Sequence, residues 1–273
     1  MNQPKSPGLV VEPDGPIRIV RFNRPQTYNA IDRAMHYELA HVWSTLDADP
    51  QARAVLLTGT GRAFSGGGDL DMVNRVHTDA VLRDEIMRET RELILAMVNF
   101  RLPVVAAING PAVGLGANVA LMADVVLMAE DAYLADPHVS LGLVAGDGGA
   151  AMWPVLASPL KLKEYLLTGD RITAPAAEAM GMATRVVPAD QLLAEGLRVT
   201  HRLAGLPAQA VQETKRAVNL HIAAAVAGVI DYAISAETQS IMRPEHHRLV
   251  REVLARHTRK SAAVTDAAGA VRP

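Results

Sequence analysis

Apolar and polar positions alternate along IRIVRF, residues 17–22, a pattern that predicts a half-buried strand. Pro25 and two asparagines in NRPQTYNA then interrupt it. Over residues 32–46, Met35, Leu39, Val42, Trp43 and Leu46 recur at helical spacing, with Asp32 as a favourable first-turn charge. RAVLLTG, residues 53–59, is a short apolar run expected as a buried strand, and the glycine-rich turn TGTGRAFSGGGD follows it. A charged amphipathic helix is predicted over residues 79–99. PVVAAING (103–110) repeats the scheme of apolar strand then glycine turn, GANVALMA (116–123) reads as a buried helix, and DVVLMAED as the next strand. Strand, turn and helix alternate at least twice, which predicts an α/β fold.

The second half has a different rhythm. Ser158 and Pro159 read as an N-cap and first-turn proline ahead of LKLKEYLLTG. Thr173 is placed to cap APAAEAM and Gly181 to stop it. VVP closes a last short strand at Pro188, and from Ala189 onward the chain reads as successive helices. The final SAAVTDAAGAVRP lacks a periodic apolar face and is expected as a loose tail. The expected division is an α/β core over residues 1–200 and a helical region over 201–273.

Composition narrows the class. The 273 residues are 49% hydrophobic and 21% charged, with a net charge of −2, so a strongly basic nucleic-acid or membrane-surface protein is not indicated. No cysteine is present, which removes disulfides, thiolate metal sites and a cysteine nucleophile. The stretch 102–123 lacks charge, yet it holds two prolines, three glycines and two asparagines and is expected inside a soluble fold. MNQPKSPGLV has one lysine and no apolar core, so no signal peptide is read there and a cytoplasmic location is expected. His36 and His41 are five apart and His246 and His247 adjacent; neither pair shares a helical face, so no metal site is expected and these histidines are read as solvated.

Several segments carry candidate chemistry. The three glycines of GRAFSGGGD let backbone N–H groups approach a ligand. Ser65 in the same segment is a weak candidate for a nucleophile elbow, because Gly59, Thr60, Gly61 and Arg62 intervene between the apolar run and the Ala63-Phe64-Ser65-Gly66-Gly67 motif. Gly114-Leu115-Gly116 opens a helix after a strand but lacks the third glycine of a dinucleotide fingerprint; what remains is a helix N-terminus with unpaired N–H groups. DPHVSLGLVAGDGG, from Asp136, holds His138 and, nine positions on, Asp147 in an apolar, glycine-rich context where titratable groups are costly.

In order along the chain stand NRPQTYNA, RAFSGGGDL, INGPAVGLGANVALMADVV, PHVSLGLVAGDGG and TGDRITAPAAEAMGMATRVV. That series resembles the crotonase (enoyl-CoA hydratase/isomerase) superfamily over residues 17–188. The resemblance implies a spiral of ββα units followed by helices that assemble a homotrimer or a dimer of trimers. It implies an acyl-CoA substrate, with coenzyme A arriving as part of that substrate and no permanently bound cofactor. By motif position the thioester oxygen would lie between the N–H groups of Gly68 and Leu115, while Ala30, Gly66, Asp69, Leu70 and Gly114 would line the CoA and acyl channel. Two strand-following loops aiming amides at one oxygen is the geometry that stabilises an enolate or tetrahedral oxyanion.

Two departures stand out. The places of the two usual hydratase glutamates hold Asn118 and His138. An asparagine amide does not trade protons near neutrality, whereas a histidine does. Asp147 is the candidate that compensates, with His138 and Asn118 beside it. The positions of two lysines that commonly meet CoA phosphates hold Gln26 and Asp71; Arg24, Arg62, Arg75 and Lys215 are the possible substitutes. The expected activity is enoyl-CoA hydratase/isomerase-like, with the exact reaction open. The alternatives are an acyl-CoA or β-diketone hydrolase on the same fold, and a non-catalytic acyl-CoA binding protein.

Overall fold

The computed structural model describes residues 8–269, with side chains described through Arg256. Residues 1–7, on which most of the signal-peptide expectation falls, and residues 270–273 of the expected tail lie outside the described residues.

The main sheet contains β1 (Leu9–Asp14), β2 (Ile17–Phe22), β3 (Ala54–Gly59), β4 (Val104–Ile108), β6 (Val125–Ala129) and β9 (Arg185–Val187) in the order β1-β2-β3-β4-β6-β9. The β1–β2 pair is an antiparallel hairpin and every other pair is parallel. A second, smaller sheet joins β5 (Ala112–Val113), β7 (Tyr133–Ala135) and β8 (Ile172–Thr173). β3 and β4 are buried at every position, as their continuous apolar runs require of central parallel strands.

Of the helices, α1 (Arg33–Asp47) starts where Asp32 caps it by accepting from the Met35 amide, and α3 (Ala80–Val98) begins at Asp79, which accepts from the Leu82 amide. α4 (Leu115–Leu121) is buried throughout. α6 (Pro159–Thr168) has its proline in the first turn, and α7 (Ala174–Met180) is capped by the Thr173 hydroxyl and ended by Gly181 in the left-handed region. Two helices stand where the apolar pattern predicts none. α2 (Leu70–Thr78) is nine residues long and begins at Asp69, whose carboxylate accepts from the Asp71 amide. α5 (Gly149–Leu156) opens on glycines, which give a sequence window no periodic face. The strands of the small sheet are two or three residues long, too short for any alternation to register.

α8 (Leu192–Ala204), α9 (Ala208–Ala227), α10 (Ile230–Ile241) and α11 (Pro244–Gly269) complete the chain; α11 carries helical backbone into the segment expected as a tail. α8 runs across residue 200 and packs on β3 and β4. No single helix among the described residues is long and apolar enough to cross a membrane.

α9 is tied to the sheet by one buried cation. Lys215 Nζ donates to the Leu102 carbonyl at 2.7 Å and to Asp124 Oδ2 at 2.8 Å, while the same carboxylate oxygen accepts from the Val104 amide at 2.7 Å. Lys215→Met is expected to destabilise the fold by about 2 kcal/mol in urea denaturation, below the roughly 3–5 kcal/mol of a fully buried pair because the Asp124 side chain keeps some solvent contact. A variant as stable as the parent would show that packing alone docks α9.

Candidate active site

Two loops meet beside the small sheet. The segment after β3 is stitched to the segment after β4 by the Val113 amide, which donates to the Ser65 carbonyl at 2.9 Å. In the first loop the Ile31 amide donates to the Gly67 carbonyl and the Asp69 amide to the Ile31 carbonyl. A parallel bridge built that way uses only Ile31's side of the pairing, so the N–H of Gly68 faces away from it. In the second loop Leu115 is the first residue of α4, where no preceding turn supplies an acceptor. Among the described residues no group of the chain accepts from either amide. Both residues line one cavity of about 470 Å³.

Gly66, Leu70, Gly114, His138 and Asp147 line the same cavity. Its remaining wall is largely apolar, from Met72, Val73 and Val76 of α2, Ile86 and Met87 of α3, and Ile241 of α10. Ala30 and Asp69 are not part of the lining: the Ala30 carbonyl accepts from Arg24 Nη1, and Asp69 pairs with Arg24 at 3.4 Å. Asn118 is wholly buried behind the wall. Ser65 is equally buried and outside the lining; its hydroxyl donates to the Asn29 carbonyl and accepts from the Gly67 amide, so it ties the loop together and presents no nucleophile.

The titratable groups form one connected cluster. His138 Nδ1 contacts Asp136 Oδ1, and its Nε2 lies 3.3 Å from Asp147 Oδ2 and 3.8 Å from Glu237 Oε1. Asp147 Oδ1 accepts from Asn118 Nδ2 at 2.7 Å. The orientation of Asn118 is set from behind, because Trp153 Nε1 can only donate and does so to Asn118 Oδ1 at 2.8 Å. The amide NH2 is thereby turned toward Asp147.

Electrostatics follow from this geometry. Burial acts to lower the His138 pKa, but the charges of Asp136 and Asp147 and the hydrogen bonds to both outweigh it and carry the imidazole well above the ordinary histidine value. Asp136 is likewise subject to burial, which raises its pKa, and the adjoining His138 charge reverses the balance and lowers it. Glu237 goes the other way. Burial, then the negative charge of Asp147, push its carboxyl up to about 8, with His138 only partly offsetting them.

Asp136, His138 and Asp147 also offer ligand atoms within 4.8 Å of one another. A ring nitrogen that holds a proton has no lone pair for a metal, and the two flanking carboxylates favour the proton. The cluster therefore favours a proton on His138 over a metal ion.

Glycines permit the crowding. Gly148 has φ +125, a conformation side-chain-bearing residues rarely adopt, and a Cβ at Gly146 would come within 2.4 Å of the Ala233 carbonyl on α10. The aspartate between them is held by the turn and aimed by it.

Glu237 escapes a motif-based reading because it belongs to no motif, and Asp136 opens DPHVSLGLVAGDGG without being singled out there. A signal for Glu237 does exist: the buried residues of α10 are Ile230, Ala233, Glu237 and Ile241, so the acid stands in the apolar stripe of its helix. The histidines expected as solvated divide. His36 is buried between Glu89 Oε2 (2.8 Å) and Thr90 Oγ1 (3.2 Å), and His246 is buried with Nδ1 donating to the Leu141 carbonyl at 2.8 Å. Helical spacing places them correctly on their helices but cannot show what packs over them. His41 is exposed as expected.

The possible phosphate ligands also divide. Lys215 is spent on Asp124, and Arg24 is held by Asp32 (3.2 Å) and Asp69. Arg62 stacks over Tyr28, and Arg75 stands at the surface 3.8 Å from Asp79.

The family model described as Enoyl-CoA hydratase/isomerase matches residues 13–262. A Mycobacterium tuberculosis protein named "Probable enoyl-CoA hydratase echA8" is 34% identical over 212 residues, which cover 77% of this chain and 80% of that protein. The crystal structure of an enoyl-CoA hydratase/isomerase from Mycobacterium paratuberculosis superposes with a TM-score of 0.88 at 45% identity, covering 90% of this chain and 98% of that one. A monofunctional enoyl-CoA isomerase from M. smegmatis gives a TM-score of 0.67 at 27% identity, covering 80% and 94%. Matched by that family model over residues 13–262 and 34% identical to a relative of which it covers 80%, the chain belongs to the enoyl-CoA hydratase/isomerase family, whose members act on CoA thioesters.

Proposed function

We propose that this protein is an acyl-CoA enzyme that holds the thioester oxygen between the N–H groups of Gly68 and Leu115 and uses the Asp147 carboxylate as its base. The observation that carries the reading is the support of Asp147 from both sides, by Asn118 Nδ2 and His138 Nε2, at the wall of the cavity that both amides line. A carboxylate held in this way takes a proton from a substrate carbon or from water, while the two amides receive the charge that develops on the thioester oxygen. Gly66, Leu70 and Gly114 shape the channel, and the apolar wall takes the acyl group.

His138 acts as a positioning cation in this scheme. Both ring nitrogens adjoin carboxylates, so the protonated ring keeps Asp147 in place and has no free lone pair with which to activate water. This argues against a hydrolase that uses His138 as its base. The same reading supports a homotrimer or dimer of trimers: exposed Leu160, Leu167, Val218, Leu220 and Tyr232 lie on α6, α9 and α10, and large apolar side chains gathered on outer helices suit subunit contacts. Light scattering on the purified protein is expected to give three or six times the chain mass; a monomer would refute the assembly.

Asp147→Asn is expected to lower kcat by roughly a hundredfold or more, the usual worth of a positioned base, in a panel of acyl-CoA esters that includes crotonyl-CoA, followed by loss of enoyl absorbance. Circular dichroism should show the fold unchanged. Undiminished turnover by this variant removes Asp147 from the chemistry, and tight binding of acyl-CoA esters without product from the parent enzyme favours a binding protein.

A further inference from the structure

We propose that Glu237, carried on α10, is the acid that gives a proton to the substrate while Asp147 takes one, so that the two proton-handling groups of a hydratase are rebuilt here from a loop and a C-terminal helix. The inference rests on the reading of Asp147 as base and adds the group that reading lacks.

Four observations point to Glu237. It lines the cavity with Asp147 and the two amides. It is 4% exposed, and its Oε2 is buried without a hydrogen-bond partner among the described residues. An ionised carboxylate in such a place needs donors; the Gly146 N–H favours the charged form, but burial and the Asp147 charge outweigh it and favour the neutral acid. Its Oε1 and Asp147 Oδ2 approach the same atom, His138 Nε2, at 3.8 and 3.3 Å. The two acids therefore stand side by side with different surroundings, one supported by Asn118 and His138 and the other pushed toward its protonated form by burial and by its neighbour's charge. A carboxyl kept neutral beside a carboxylate held by two donors is the arrangement of an acid next to a base.

The charged groups acting on Glu237 are Asp147 and Asp136, which favour its proton, and His138, which opposes it. From α11 the cavity receives His246, whose Nδ1 is engaged by the Leu141 carbonyl, and Arg256. α2 and α3 contribute apolar side chains and Thr90 there. From α1 the lining includes His36, whose Nδ1 is engaged by Glu89, and among the described residues no lysine lines the cavity.

For an enoyl thioester the step balances as follows. Asp147 takes a proton from water as the water oxygen bonds to the β carbon. The alkene electrons move onto the thioester oxygen between Gly68 and Leu115. The thioester carbonyl then re-forms as the α carbon takes the proton from Glu237, giving the 3-hydroxyacyl thioester. Asp147 is left protonated and Glu237 ionised, and a proton passing from the first to the second past His138 Nε2 restores both. An isomerase can move one proton with one carboxylate; adding water uses two groups in opposite states, and the cavity holds such a pair.

The test compares the parent, Glu237→Gln and Asp147→Asn in crotonyl-CoA hydration across pH, alongside thermal melts without substrate. In the parent, kcat/KM is expected to fall as pH rises through about 8, where Glu237 loses its proton. Glu237→Gln is expected to lower kcat roughly a hundredfold and to lack that basic limb. The melts read the charge state independently of activity. An acid whose pKa is raised by folding costs stability as pH climbs from its unfolded value through its folded one, so the parent's Tm should fall over that range and the glutamine variant's should fall less. A basic limb that persists in Glu237→Gln belongs to His138 and overturns the proposal, as does full activity in that variant or a Tm profile identical to the parent's. If Asp147→Asn is inactive while Glu237→Gln is normal, only the acid assignment fails; if the parent hydrates no enoyl ester, hydration fails and the acid assignment with it.

Discussion

A buried imidazole set between Asp136 and Asp147 organises the centre of this molecule. Its charge lets the flanking carboxylates exist away from water, and in return they keep its proton. The imidazole is the member this arrangement depends on, because removing it leaves two carboxylates uncompensated in a low dielectric. The surrounding chain is shaped to that requirement. Trp153 turns Asn118, Asn118 turns its NH2 toward Asp147, and the glycines around Asp147 let α10 and Asn118 come close enough to close the shell.

In the same cavity lie two amides from which, among the described residues, no group of the chain accepts. They come from loops that follow neighbouring parallel strands, β3 and β4, so the register of those strands controls how the loops meet. The apolar contribution of α2, α3 and α10 separates the cluster from bulk water and strengthens each interaction within it. Fold and chemistry are linked here by dielectric: the same burial that packs the helices raises the Glu237 carboxyl and couples it to Asp147.

The motif resemblance implies that both usual acidic positions are exchanged in this chain, and under the proposed function the exchange is coherent. Asn118 and His138, which the resemblance puts at the glutamate positions, adjoin Asp147 through Nδ2 and Nε2. A carboxylate on a different element, Glu237, enters the cavity beside it. Burying a carboxylic acid without partners costs stability, and proteins tolerate such a cost where function uses it.

The order of strand, glycine turn and helix, the helix starts at Asp32 and Asp79, the cap at Thr173 and the two glycine-rich loops were all legible in the amino-acid sequence, because each depends on residues a few positions apart. So was the involvement of Asp147 in the cavity wall, through its place in an ordered series of motifs. The short strands of the second sheet and the glycine-opened α5 were not, since two or three residues carry no period. Nor were the states of His36, His138 and His246, because a helix's periodicity says which residues share a face and nothing about what covers that face. Glu237 lies ninety positions beyond Asp147, and only the packing of α10 over the glycine loop brings the two acids to one nitrogen atom. Local structure follows from neighbours along the chain; the protonation of a buried acid follows from neighbours in space, and those the tertiary structure alone supplies.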